Sequence, residues 1–168
     1  MEKIKLKNNE AKIIKIELNE KGDYTAISPD DSMLFDRFVS GYKRIVDLSD
    51  EVPAKLEEIE KKYKGQDGFT AVMNKTVEIS TVNVQFSSEA VNIIDGIFGA
   101  NTIRKYFRNC YDEIPDFIPD VECFGDFLEK ITPEMEKIFN RKIENQRKRS
   151  KERMAKYQPQ NHRKPGSK

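Results

Sequence analysis

The chain has 168 residues, 37% of them hydrophobic and 35% charged, with no tryptophan. That length suits one domain with a tail, and the heavy charge implies that part of the chain stays solvated. No apolar run approaches the roughly 18 residues of a bilayer span, and MEKIKLKNNE lacks the apolar stretch of a signal peptide, so a cytosolic chain is expected.

The net charge of +1 conceals an asymmetry. Residues 141–168 hold 11 Lys and Arg against Glu144 and Glu152, which leaves residues 1–140 at −8. Acid is densest in 111–136, where nine Asp and Glu face only Lys130. Charge segregated in this way marks an interaction segment. Cys110 and Cys123, with a single histidine at His162, are too few ligands for a zinc site. Two reduced, partly buried thiols are expected, with no metal and no cofactor.

In chain order, KIKLK (3–7) and AKIIKIEL (11–18) alternate polar and apolar residues on either side of Asn8-Asn9. This predicts a β-hairpin with Ile14, Ile16 and Leu18 on one face, and Tyr24–Ile27 is a candidate further strand. Ser28-Pro29-Asp30-Asp31 has the composition of a helix start, with Ser28 as cap and Pro29 at the first helical position. Leu34, Phe35, Phe38, Tyr42, Ile45 and Val46 then form an amphipathic stripe. Pro53 is expected to end or kink that helix. Leu56, Ile59 and Tyr63 continue a second face to Gly65, a suitable helix stop.

QDGFTAV (66–72) reads as a loop. KTVEISTVNVQF (75–86) is rich in β-branched residues, yet Ile79, Val82, Phe86, Ala90, Ile93 and Ile97 recur at helical spacing. One long helix ending near Phe98 is the expectation, because the stripe is too long for an ordinary strand. GIFGAN (96–101) lacks both the G-x-x-x-x-G-K-[ST] and the G-x-G-x-x-G spacing, so it does not read as a phosphate loop. Gly99 is expected to close the helix in a left-handed conformation, and Asn101 or Thr102 to cap a short helix bearing Ile103, Tyr106 and Phe107.

Pro115 and Pro119 hold DEIPDFIPD extended. A helix then starts at Asp120 with Val121, Phe124, Leu128 and Ile131 inward. Thr132-Pro133-Glu134 opens another, with Met135, Ile138, Phe139 and Ile143 on its apolar face. Past Ile143 that face fades into a basic segment whose final dozen residues are expected to be disordered. The fold class is therefore mainly α, with a small N-terminal antiparallel hairpin over 1–28, a helical domain over 29–140 and a basic helical extension over 141–168.

Catalysis is not expected, since no Ser-His or Cys-His pair is available with one histidine in a polar tail. The carboxylates of 112–126 read as a solvated face. The basic segment, with Arg147, Lys148, Arg149 and Arg153, leaves three readings open: contact with nucleic acid, pairing with acidic residues of its own or a neighbouring chain, or solubility. Of these, nucleic acid is disfavoured beside self-association, because aromatic interleaving is absent until Tyr157. Some of Phe98, Tyr106, Phe107, Phe117 and Ile118 are candidates for an exposed apolar patch, although packing is the simpler role for each.

NIIDGIFGANTIRKYF (92–107) resembles the tail assembly chaperones of siphophages and myophages that infect Firmicutes. In that family a helix ends in an Asp-x-x-Phe-Gly corner, followed by small polar residues and a short helix bearing Lys-x-Phe. Here those positions are Asp95, Phe98, Gly99, Asn101, Thr102, Lys105 and Phe107. ECFGDFLEKI (122–131), the basic glutamine-bearing C-terminal segment and, more weakly, FDRFVSGYKRIVDL (35–48) are similar too. Ala100, Asn101 and Arg108 depart from the family, which carries a glycine, an acid and a second glycine there.

The resemblance implies a non-enzymatic morphogenesis factor of the host cytoplasm, absent from the mature virion. Such a protein coats the long tape-measure protein and recruits tail-tube subunits. Ile94, Ile97, Phe98, Ile103, Tyr106 and Phe107 would form its apolar partner-binding corner. Arg147, Lys148, Arg149 and Arg153 would form a basic one. A nucleic-acid-binding accessory protein and a structural tail or connector subunit are the competing readings.

Overall fold

The computed structural model describes residues 12–157. The strand expected at 3–7, His162 and nearly all of the terminal segment expected to be disordered lie outside them. The described chain is mainly helical, in the order β1 (Ile14–Glu17), β2 (Tyr24–Ile27), α1 (Leu34–Lys62), α2 (Phe69–Phe98), α3 (Thr102–Tyr106), α4 (Arg108–Glu113) and α5 (Val121–Tyr157).

β1 pairs antiparallel with β2, Ile14 opposite Ile27 and Glu17 opposite Tyr24. The candidate further strand is thus the partner of Ile14–Glu17. Alternation places Leu18, Thr25 and Ile27 in the interior and leaves Ile14 and Ile16 half-buried against it. Gly22, at φ 84°, supplies the left-handed residue of the connecting turn.

The first helix begins later than Ser28-Pro29 suggests. The Ser28 hydroxyl accepts from Asp30 N at 3.2 Å and the Asp31 carboxylate from Met33 N at 2.9 Å, so two side-chain turns occupy 28–33. Neither internal proline ends its helix. α1 runs unbroken through Pro53 for 29 residues, and α5 runs through Pro133 for 37, so no new helix opens at Thr132. Pro53 and Pro133 are both exposed, so neither ring has to be fitted into the core. The expected loop at 66–72 is also shorter, because α2 starts at Phe69 and continues for 30 residues to Phe98.

α1 and α2 form an antiparallel hairpin. Phe38 meets Phe98 near one end, while Glu60 holds Lys75 at 2.6 Å near the other. At Gly41 the two helices approach so closely that a Cβ there would lie 2.6 Å from Ile97 Cδ1. α5 lies antiparallel to α1, since Phe139 packs on Phe35 and Phe38 while Gly125 lies across a groove from Ser49. Phe86, Ala90, Ile94, Phe124, Phe127, Ile131 and Met135 fill the three-helix core between them.

The core is shorter than its helices. Before Phe86 no residue of α2 is buried, and past Val52 only Ile59 of α1 is. α5 buries nothing past Ile138. Two arms therefore extend past opposite ends of the core: the tip of the α1–α2 hairpin, and the last 18 or so residues of α5, about 27 Å of helix, whose first turns still run beside Ile14 and Asp30 and whose Lys142 donates to Pro29 O.

Candidate interaction surfaces

The corner at 95–107, which carries the resemblance, is built around one carboxylate. Asp95, still inside α2, turns its carboxylate across the corner. It accepts from Asn101 N at 3.1 Å and Thr102 N at 3.0 Å, the free donors at the start of α3. The Thr102 hydroxyl donates back to Gly99 O at 2.7 Å. Asn101 caps nothing with its side chain but takes the left-handed conformation at φ 65°. Gly99, at φ 107° and ψ 162°, lies not in the left-handed helical region but in the extended positive-φ region that only glycine visits. Thr25 of β2 donates its hydroxyl to Phe98 O, which docks the hairpin on the corner.

This corner does not expose an apolar patch. Ile94 and Ile103 are fully buried, and Ile97 and Phe98 nearly so. Tyr106 and Phe107 are half-buried within a run of rings in which Phe98, Phe127, Tyr106 and Phe107 meet edge-to-face and Phe117 follows tilted, at 4.7–6.0 Å. The Tyr106 hydroxyl donates to Asp126 at 2.6 Å, which together with Lys130 holds that carboxyl below its usual range. Burial, then the same hydrogen bond, pushes the Tyr106 phenol up. The six residues expected to contact a partner thus hold α2, α3 and α5 together; of the suspected patch only Ile118 is exposed.

The acidic segment is mostly solvated, although besides Asp126 three of its exposed carboxylates have partners, Glu134 being held by Lys137 at 2.8 Å. Asp112 pairs with Lys21 at 3.0 Å, and Asp120 accepts from Cys123 N at 3.0 Å as the cap of α5. Cys110 and Cys123 are free and half-buried. Among the described residues no three His, Cys, Asp or Glu are grouped to hold a metal ion, and no helix is long and apolar enough to cross a membrane.

Two surfaces do lack a partner. The first is the free half of α2. Phe69 is 81% exposed and Val77 59%, and with Met73 and Val84 they line one face of the helix at spacings of four, four and seven. Across its 30 residues α2 has only Lys75, Glu78, Glu89 and Asp95 as charges. In a chain that is 35% charged, so bare a helix is normally a core helix, yet half of it stands outside the core. QDGFTAV has the composition of a loop, which hides this face in the sequence; the dearth of charge between Gly68 and Ser88 is the signal that could have found it.

The second surface is a groove of about 420 Å³ between α1 and α5, floored by Tyr42, Ile45, Val46 and Leu128 and walled by Glu129 and Glu136. Tyr42 and Val46, expected inside, are left exposed on that floor because α5 crosses α1 along the neighbouring Phe38–Ile45 line. Arg147, Lys148, Arg149 and Arg153 are all exposed on the projecting arm of α5. They are not near the apolar corner.

Compared with protein-family models, with curated proteins and with solved structures, the chain matches none.

Proposed function

We propose that this chain is a tail assembly chaperone of a bacterial virus, acting by stoichiometric binding without covalent chemistry. It covers apolar helical surface of the tape-measure protein in the host cytoplasm, helps to recruit tail-tube subunits, and leaves before the virion is complete. The observation that supports the reading most directly is the unpartnered apolar face of α2, at Phe69, Met73, Val77 and Val84. A long amphipathic helix needs its apolar side covered until the tube encloses it, and an exposed helical stripe supplies cover by pairing with it. The likeness at 92–107 names the partner; the exposed stripe supplies a surface of the right kind. The site moves accordingly from the buried corner to the hairpin tip.

The test is co-expression with the long helical protein encoded beside this chain. The wild-type chain is expected to keep that protein soluble and to copurify with it. Phe69→Asp with Met73→Asp should abolish copurification while leaving the chain's own melting temperature nearly unchanged, because neither residue is buried. Failure of the wild-type pair to copurify would overturn the proposal. Detection of the chain in purified virions would favour a structural subunit instead.

A further inference from the structure

α5 changes sign along its length. From Val121 to Phe139 five acids face Lys130 and Lys137; from Asn140 to Tyr157 eight Lys and Arg face Glu144 and Glu152. The two halves are nearly equal, about 18 residues and 27 Å each. The sign change lies on one continuous face. Glu129, Pro133 and Glu136, which border the groove against α1, are followed at helical spacing by Asn140, Ile143, Arg147, Lys151 and Met154.

Glu129 and Glu136 are the charges of the groove, and among the described residues neither has an ion-pair partner within 4 Å. Lys130 and Lys137 beside them already hold Asp126 and Glu134, at 3.1 and 2.8 Å. The groove thus has an apolar floor and acidic walls, which fits a basic amphipathic helix. The projecting arm is such a helix, with Ile143 44% and Met154 68% exposed among its cations. Because α5 is one unbroken helix, that arm cannot fold back onto its own groove.

We propose that two copies of this chain pair antiparallel through α5, about a two-fold axis near Asn140, the basic arm of each lying in the groove of the other. An antiparallel crossing at that point sets Arg147 between Glu136 and Glu129 of the second copy, and Lys151 beside Glu129. Ile143 and Met154 then reach the floor at Tyr42 and Val46. The same contacts occur twice by symmetry, so the assembly closes at two and does not grow into a filament. This inference is independent of the tape-measure reading.

The full chain is examined by sedimentation velocity across a salt series. A dimer that weakens as salt rises is expected, since its rim is ionic. Glu129→Lys with Glu136→Lys places like charges across both grooves, as does Arg147→Glu with Lys151→Glu. Each pair of substitutions should weaken self-association by roughly tenfold or more, with helicity by circular dichroism unchanged. Mixing the two variants is the decisive arm. In the heterodimer both grooves are complementary again, so native mass spectrometry should find a one-to-one complex where neither variant dimerises alone. A monomer at every salt concentration, a dimer indifferent to both variants, association beyond two, or no heterodimer on mixing would each overturn the proposal. So would a monomer whose basic arm binds duplex DNA with a steep salt dependence.

Discussion

Asp95 shows how one side chain organises a turn between two helices. The corner needs donors at the start of α3 satisfied, and no cap residue of α3 does so. The carboxylate of the preceding helix reaches them instead, at 3.1 and 3.0 Å. Asp95→Ala is expected to cost about 1 kcal/mol of stability by chemical denaturation, the usual value of a lost cap. Asp95→Asn keeps one acceptor and should lose less. Glycine at 99 is a backbone requirement, legible in the sequence as a helix stop but not as this particular conformation. The motif residues Asp95, Gly99 and Thr102 thus serve the turn, and Phe98 and Phe107 serve the aromatic packing around it. A short motif read from sequence does not say whether its residues face in or out.

At the scale of elements, the helices were legible, as were the end at Phe98 and the start after Asp120, whereas the starts of α1 and α2 were not. The stripe from Ile79 to Ile97 overrode the β-branched composition of 75–86, because a face repeated over five turns buries more apolar surface than local preference opposes. The prolines at 53 and 133 do not end their helices. Each lies on a solvent face of a helix whose opposite face is packed, so burial outweighs one missing hydrogen bond. The α1–α2 contact turns on Gly41, where a Cβ would stand 2.6 Å from Ile97 Cδ1 and 2.8 Å from Ile93 Cγ2. Gly41→Val is expected to destabilise by about 1–3 kcal/mol through overpacking. Gly41→Ala should cost less, because Ile97 Cδ1 can swing aside and alanine gains about 1 kcal/mol in a helix interior, while Ile93 Cγ2, on a stiff β-branched carbon, still has to give way. Thermal or denaturant unfolding of both variants checks the contrast.

For the whole molecule, the uneven length of core and helices is the governing feature. Residues buried by three helices lie between Leu34 and Val52, Phe86 and Phe98, and Phe124 and Ile138. Amides there should open only with global unfolding, typically about 5–15 kcal/mol. Those of 69–81, covered by α1 alone, and of 150–157, past the last residue beside the β-hairpin, should exchange sooner in the isolated monomer. Hydrogen exchange by mass spectrometry measures both. Slowing of 143–157 with rising protein concentration, and of 69–81 only on adding the helical partner, would separate the two proposed interfaces.

By itself the sequence determined the helical class, the β-hairpin in outline and the turning role of GIFGAN, because periodicity and glycine act locally. It also displayed the opposed charges of the C-terminal third. Tertiary structure alone decided which apolar residues are covered. Ile94, Ile103 and Phe98 sink into the core while Phe69, Met73 and Val77, no less apolar, stand outside it. The reason is that a helical stripe states which residues share a face, and only the length and placement of the neighbouring helices state whether anything lies against it.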